Sequence, residues 1–262
     1  MELKTATIED EAIRNTACVL ADVDADVVTL VEVESRQTLR RFHDDVLLPL
    51  LRTTGRLGYD YDLVIEGNDP RGIDVGLLSR YPIDRVRSHV ADRSGDSPTF
   101  SRDCPEYYVT LPGGQELAVL PNHLASKGSD RTGERRRVQS AAIAKIYKRI
   151  RKTHDLVLVA GDLNDHPEGG SLDKLLNTDL KDAMSLPLYD GLPGTYGHGR
   201  DTEKLDYLLC SPKLRRAITQ VDVNRKGFYA PKKWESYESI NAVTKGRYQA
   251  SDHHCVWAEV AV

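Results

Sequence analysis

Leu156-Val157-Leu158-Val159-Ala160-Gly161-Asp162-Leu163-Asn164-Asp165 is the stretch that decides the fold. Its five leading apolar residues predict a strand buried on both faces, as in an α/β architecture. Gly161 ends the run. Asp162 and Asn164 then lie at the strand's C-terminal edge, where α/β proteins place their chemistry. A carboxylate there accepts a proton or ligates a cation. An amide two residues on can hold a phosphate oxygen without adding negative charge. Gly-Asp and Asn-Asp are also common turn pairs, so the stretch gains chemical meaning only from what converges on it.

Upstream, residues 9–22 carry Ile13, Ala17 and Leu20 at helical spacing. Val27-Val28-Thr29-Leu30-Val31 follows as a second buried strand and ends in Glu32. A carboxylate in that place is costly unless a cation or a donor meets it. Residues 35–54 place Leu39, Phe42, Val46, Leu47 and Leu50 at helical spacing. Tyr61 to Ile65 and Ile73 to Ser79 predict strands on either side of the turn-rich loop from Glu66 to Gly72, which contains Arg71. Residues 84–101 read as polar, irregular loop. A hairpin over 106–111 and 116–120 delivers Asn122-His123.

Downstream of His123, Ser126 to Arg131 reads as a basic loop, and a helix is predicted over 132–151. Val138, Ala142, Ile143, Ile146 and Ile150 form its inward face. Arg135-Arg136-Arg137 in its first turns is the kind of run that most often coats a solvated face, but after the His123 loop it can meet phosphates. Past the central strand come a short helix over 168–176, a loop over 187–202, and a strand from Lys204 to Cys210 with Asp206 inside its apolar run. A mixed region over 221–247 holds Tyr229, Trp234 and Tyr237, which read as core aromatics before stacking ones. Ser251-Asp252-His253-His254 precedes a last strand, Cys255 to Val260.

The 262 residues predict one domain over 1–262 with a sizeable core. A net charge of -4 excludes a chain that is basic overall, so contact with a polyanion has to be local. Cys18, Cys104, Cys210 and Cys255 are scattered without a CxxC pair, which argues against zinc. No run of 18 apolar residues predicts a membrane span, and Met1-Glu2-Leu3-Lys4 lacks a signal-peptide core. As written, the chain is expected in the cytoplasm; it would be secreted if a signal peptide stood ahead of a truncated N-terminus.

Glu32, Glu66, His123, Asp162, Asn164, Asp206, Asp252 and His253 all stand where an apolar run starts or stops, or inside one. Carboxylates with few imidazoles and no thiolates form a hard-oxygen set suited to Mg²⁺, Mn²⁺ or Ca²⁺. Histidines beside carboxylates give acid/base pairs. Hydrolysis of a phosphate ester needs this combination: a cation on the phosphoryl oxygens, a base for water and an acid for the leaving oxygen.

Taken in order, Asp26 to Val33, Asn122-His123, Gly161 to Asn164, Leu205-Asp206-Tyr207 and Ser251-Asp252-His253 resemble the endonuclease/exonuclease/phosphatase superfamily, the deoxyribonuclease-I-like group. The resemblance implies an α/β four-layer α/β/β/α sandwich, with two mixed β-sheets face to face and helices outside. Glu32 resembles its metal-binding glutamate, and Asp252 a carboxylate near the metal. Asp162 and Asn164 resemble the pair that activates the nucleophile and holds the phosphate. His253 resembles the catalytic histidine, oriented by Asp206. His123 resembles a second histidine whose acidic partner Glu66 fits by position, with Asp74 as competitor. Residues 122–129 also resemble the NHLKSKGS segment of bacterial secreted nucleases, which favours a nuclease acting on DNA or RNA with Mg²⁺. Asn122, Lys127 and Arg71 are then the substrate contacts. A phosphomonoesterase or lipid phosphodiesterase of the same group is the alternative substrate reading, and a non-catalytic binding module the alternative class.

One part of the pattern has no counterpart. Members of the superfamily begin with a central strand that carries an asparagine, and this chain begins almost at the helix that follows it. Asn15 lies inside the helical pattern. Strand edges left open in this way invite pairing, so a homodimer or an exchanged strand is expected.

Overall fold

The computed structural model describes residues 9–230 and 238–261, so Trp234 and Tyr237 lie outside the described residues. Helix α1, Asp10–Val23, ends at Asp24 in a left-handed turn and leads into β1, Val27–Val33. Helical structure then runs through α2, Arg36–Arg41, a π-helical segment Phe42–Leu47 and α3, Leu48–Thr53. Strands β2, Tyr61–Val64, and β3, Asp74–Ser79, flank the 66–72 loop. Residues 84–101 depart from expectation. Strand β4, Ile83–Arg87, extends into them, and a small hairpin, β5 at Arg93–Ser94 and β6 at Ser97–Pro98, follows. β4 alternates too little to read as a strand because it is an exposed sheet edge.

The predicted hairpin forms as β7, Glu106–Thr110, and β8, Glu116–His123. Helix α4, Glu134–Ile150, leads into the central β9, Leu156–Asp162. Then come α5, Asp173–Leu176, β10, Lys181–Asp182, β11, Asp206–Cys210, α6, Pro212–Arg216, β12, Ile218–Asn224, and β13, Cys255–Val260.

β10-β11-β9-β8-β7-β4 is a six-stranded mixed sheet in which β8 and β9 run parallel. Parallel neighbours need a crossover, and α4 supplies it. Both faces of the sheet are covered, as the continuous apolar run of β9 requires. Val157 and Val159 face Ile143 and Tyr147 of α4, while Leu156 joins Leu117 and Val119 in the core between the sheet layers. The inward face of α4 is rotated from the predicted one. Ile143, Ile146 and Ile150 are buried, but Val138 is exposed and Arg136, Gln139 and Ser140 take its place inside. Those three bond to the backbone of Ala125 and Ser171, which a purely apolar face could not satisfy.

The second layer is antiparallel and divided into β1-β3-β2 and β12-β13. Ala17, Leu20 and Ala21 of α1 pack on it beside Leu47, Leu51 and Leu78. Among the described residues β1 pairs only with β3, and β13 only with β12. A cavity of about 1010 Å³ separates them, with Val27, Val28 and Thr29 on one wall, Val256, Trp257 and Ala258 on the other, and Leu117, Leu158 and Leu208 also lining it. No helix among the described residues is long and apolar enough to cross a membrane.

Candidate active site

Three strands of the large sheet place three ionisable side chains in one row. His123 at the end of β8 is in register with Asp162 at the end of β9, and Asp162 with Asp206 at the start of β11. Residue 161 has to be glycine for this row to form. Its φ is +123°, and a Cβ there would stand 2.1 Å from the carbonyl oxygen of Asn122. The row borders a pocket of about 390 Å³ that also takes in Glu32, Arg71, Lys127, Asn164, Asp252 and His253.

Asn164 sits in the left-handed region at φ +54°, a conformation asparagine tolerates. Its backbone N–H donates to Asp162 Oδ1 at 2.8 Å, and its Nδ2 donates to Asp162 Oδ2 at 2.8 Å and to the Leu124 carbonyl at 3.1 Å. Both amide hydrogens face acceptor-only partners, which fixes the orientation of the side chain. Asn164 therefore steers Asp162 first and presents only its carbonyl oxygen elsewhere. Burial, with the Asp206 carboxylate adding to it, pushes Asp162 well above the usual carboxylate range.

Nδ1 of His253 lies 2.9 Å from Oδ2 of Asp206. Thr195 Oγ1 donates to the same oxygen at 2.7 Å and accepts from the backbone of Leu205 and Asp206. Burial alone would depress His253, but the Asp206 contact and the Asp162 charge outweigh it and raise the imidazole to about 9. His123 behaves in the opposite way. Burial, then the charges of Arg102 and His253, bring it down to about 3, so it is neutral. Its Nε2 lies 3.4 Å from Asp162 Oδ2, and its Nδ1 is buried without a hydrogen-bond partner among the described residues.

Glu32 stands in a bulge of β1, where register with β3 shifts between Leu30 and Val33, and its φ is +59°. A bulge re-aims a side chain, and a glutamate held at positive φ is strained in the way functional sites are. Asp252 shares the pocket wall. Asp162, Asp206 and His253 also offer ligand atoms within 4.8 Å of one another. Within that trio His253 and Asp206 are already paired with each other through the 2.9 Å contact. Glu32 and Asp252 bring two further carboxylates, oxygen donors of the kind divalent cations take, to the wall of the same pocket, outside that trio.

Three expected residues are placed differently. Glu66 is exposed and off the pocket wall, and makes no contact with His123. Asp74, its competitor, is buried and accepts from the Gly67 backbone N–H at 2.8 Å. Asp69 is the acidic residue of that loop whose charge reaches His123. Asn122 is buried, donates to the Leu120 carbonyl at 3.0 Å and does not face the pocket. Arg71 and Lys127 do reach the pocket; Arg71 is held by Asp69 through two bonds of 3.1 and 3.0 Å, and Lys127 by Asp165 at 3.1 Å. Tyr229 is half-buried away from it.

Arg102 and Tyr196 were not visible as site residues in the sequence. Arg102 is buried and joins Asp69 Oδ2 at 3.1 Å to the Leu124 carbonyl at 2.7 Å, tying the 66–72 loop to the end of β8. Tyr196 is exposed on the pocket wall with its ring 5.0 Å from that of His253. A Thr-Tyr pair inside the glycine-rich 187–202 loop ahead of Asp206 is the local signal for it.

Solved structures share this fold. A truncated TDP2 of Caenorhabditis elegans superposes with a TM-score of 0.61 at 17% identity, over 94% of this chain and 88% of that one. A mannosyl-6-phosphatase of Bacteroides thetaiotaomicron gives 0.66 at 15% identity, over 97% and 91%. An endonuclease/exonuclease/phosphatase from Bacteroides vulgatus gives 0.64 at 15% identity, over 96% and 91%. No curated protein matches the sequence. The profile of the Endonuclease/Exonuclease/phosphatase family matches residues 11–253, so the ordered motifs and the row of His123, Asp162 and Asp206 stand in a chain that belongs to that family of phosphoesterases.

Proposed function

We propose that the chain is a divalent-cation-dependent phosphodiesterase that cleaves DNA or RNA by in-line attack of water on phosphorus. The observation that carries this reading is the pairing of a raised, Asn164-steered Asp162 with an Asp206-held imidazolium at His253 across one pocket. Asp162 orients the water and takes its proton. His253, with Nδ1 committed to Asp206, turns Nε2 to the phosphoryl or leaving oxygen and donates there. Neutral His123 offers a hydrogen bond without adding charge. Arg71 and Lys127 receive the substrate's anionic oxygens. Mg²⁺, or Mn²⁺ or Ca²⁺, held by Glu32 and Asp252, would offset charge on the phosphoryl group.

Support for a nuclease also comes from residues 122–129, which resemble the NHLKSKGS segment of bacterial secreted nucleases with Ala125 in place of its first lysine. The test is cleavage of plasmid DNA, bis-(p-nitrophenyl) phosphate and p-nitrophenyl phosphate with each cation or with EDTA, beside Asp162→Ala and His253→Ala. Metal-dependent cleavage of both diesters, abolished in both variants, is expected. Cleavage of the monoester alone would replace the phosphodiesterase reading with a phosphomonoesterase, and no turnover by a folded protein would leave a binding module.

We also infer that the edges of β1 and β13, which have no strand partner across the gap among the described residues, pair with a second copy of the chain, as a homodimer or by strand exchange. Light scattering at micromolar concentration should give twice the chain mass. A monomer would overturn it.

A further inference from the structure

Lys127 is on the pocket wall, and the chain leaves it through a turn in which Ser129 and Asp130 both donate backbone N–H to the Ser126 carbonyl. The turn is pinned from inside. Buried Arg136 donates to the Ala125 carbonyl at 3.0 Å, its backbone N–H donates to Asp130 Oδ2 at 3.0 Å, and Gln139 accepts from the Ala125 N–H at 2.9 Å. These anchors fix the backbone from which the outward side chains project. Those side chains are Arg131, Arg135 and Arg137, all exposed.

From Lys127 to Arg137 there are five cationic residues against two acidic ones, in a chain whose net charge is -4. Arg136 is the member turned inward. The backbone N–H of Arg135 meets the Asp130 carboxylate, but the side chains of Arg131 and Arg135 have no ion pair among the described residues, and the Arg137 side chain donates to the Thr132 carbonyl at 2.9 Å. The cluster follows the pocket-lining Ser126, Lys127 and Gly128 along the chain and lies outside the lining itself. As the crossover between parallel β8 and β9, α4 runs back along the sheet, so its first turn lies at the edge where His123 and Asp162 emerge. Cationic side chains on an anchored backbone, without ion-pair partners and beside a phosphate pocket, attract further phosphates by Coulomb energy and release of counterions.

We propose that Arg131, Arg135 and Arg137 form a docking track for the backbone phosphates next to the scissile one, so that the site prefers a polynucleotide to a small phosphodiester. The proposal rests on the phosphodiesterase reading above. Its test compares the protein with the R131A/R135A/R137A variant on a labelled DNA duplex and on bis-(p-nitrophenyl) phosphate, over a series of salt concentrations. The variant should raise KM for the duplex about 10-fold or more and flatten the slope of log(kcat/KM) against log[salt] by roughly 2–3, near 0.9 for each phosphate no longer neutralised. Turnover of the small diester should not change. The R131K/R135K/R137K variant should restore most of the duplex KM, since the track needs charge more than geometry. Equal duplex KM and salt slope in the alanine variant and the parent would overturn the track and leave the nuclease reading standing. A parent that cleaves the small diester and never the duplex would overturn the nuclease reading, and the track with it.

Discussion

Nδ1 of His253 and Oδ2 of Asp206 are 2.9 Å apart, and this contact decides which imidazole nitrogen faces the pocket. An ionised carboxylate can only accept, so Nδ1 carries the proton and Nε2 is left for substrate. Asp206→Asn keeps the shape and removes the charge. It should lower kcat by about 10²–10⁴ with little change in KM, the range of a general acid deprived of its orientation. Steady-state kinetics on a small diester checks this, and an unchanged kcat would remove His253 from the general acid's role.

Gly161→Ala should unsettle the row itself. The added methyl group meets the Asn122 carbonyl on a backbone that L-residues avoid. Strain at such a position costs about 1–3 kcal/mol before the collision is counted. A fall of several degrees in Tm by calorimetry is expected, at roughly 2–4 °C per kcal/mol for a chain of this size, together with loss of activity.

Remote from the pocket, Glu106 couples stability to pH. Burial would raise its carboxyl, but hydrogen bonds from His89, Tyr108 and Arg149 outweigh that and bring it down to about 2. Its stabilising contribution is therefore present above the ordinary glutamate value of 4.5 and lost as pH falls toward 2. Burial likewise opposes protonation of His89, yet Glu106 and Asp92 raise it above 6.5. That contribution is present below 6.5 and fades as pH climbs past the raised value. Glu106→Gln should thus be most damaging between about pH 4.5 and 6.5, by urea unfolding at several pH values. A penalty that stays flat across pH would refute the coupling.

Tyr196 offers an exposed aromatic face beside His253. Tyr196→Phe should keep KM for a single-stranded oligonucleotide, while Tyr196→Ala should raise it by the equivalent of about 1–3 kcal/mol, the worth of a stacked base. Equal KM values for the two variants would mean that no base stacks there.

What the sequence made legible was the set of strand ends. The apolar run before Asp162 and the motif order placed β9, the His123 end of β8, Asp206 and His253 correctly, because each is a backbone fact written locally. Side chains that depend on how loops turn were not legible. Glu66 and Asp69 are three residues apart in one turn-rich loop, and only its folded path sends Asp69 toward Arg102 and Arg71. Arg102 lies in a polar stretch with no periodicity to distinguish it. Val138 matched an apolar face, but the backbone of Ala125 and Ser171 required polar partners, and that need rotated α4. β4 escaped notice because an edge strand has one solvated side.

The gap between β1 and β13 also bears on motion. Glu32 sits on β1, while Asp252 and His253 lead into β13, and no backbone ladder joins the two among the described residues. Helix α1 ties the two sides together: Asn15 and Thr16 donate to the Tyr248 and Ala250 carbonyls, and Asp22 accepts from Asn224 and Lys226. An ion held by Glu32 and Asp252 would add a second tie at the far end of the gap, so the ligands that serve the chemistry would also stiffen the molecule.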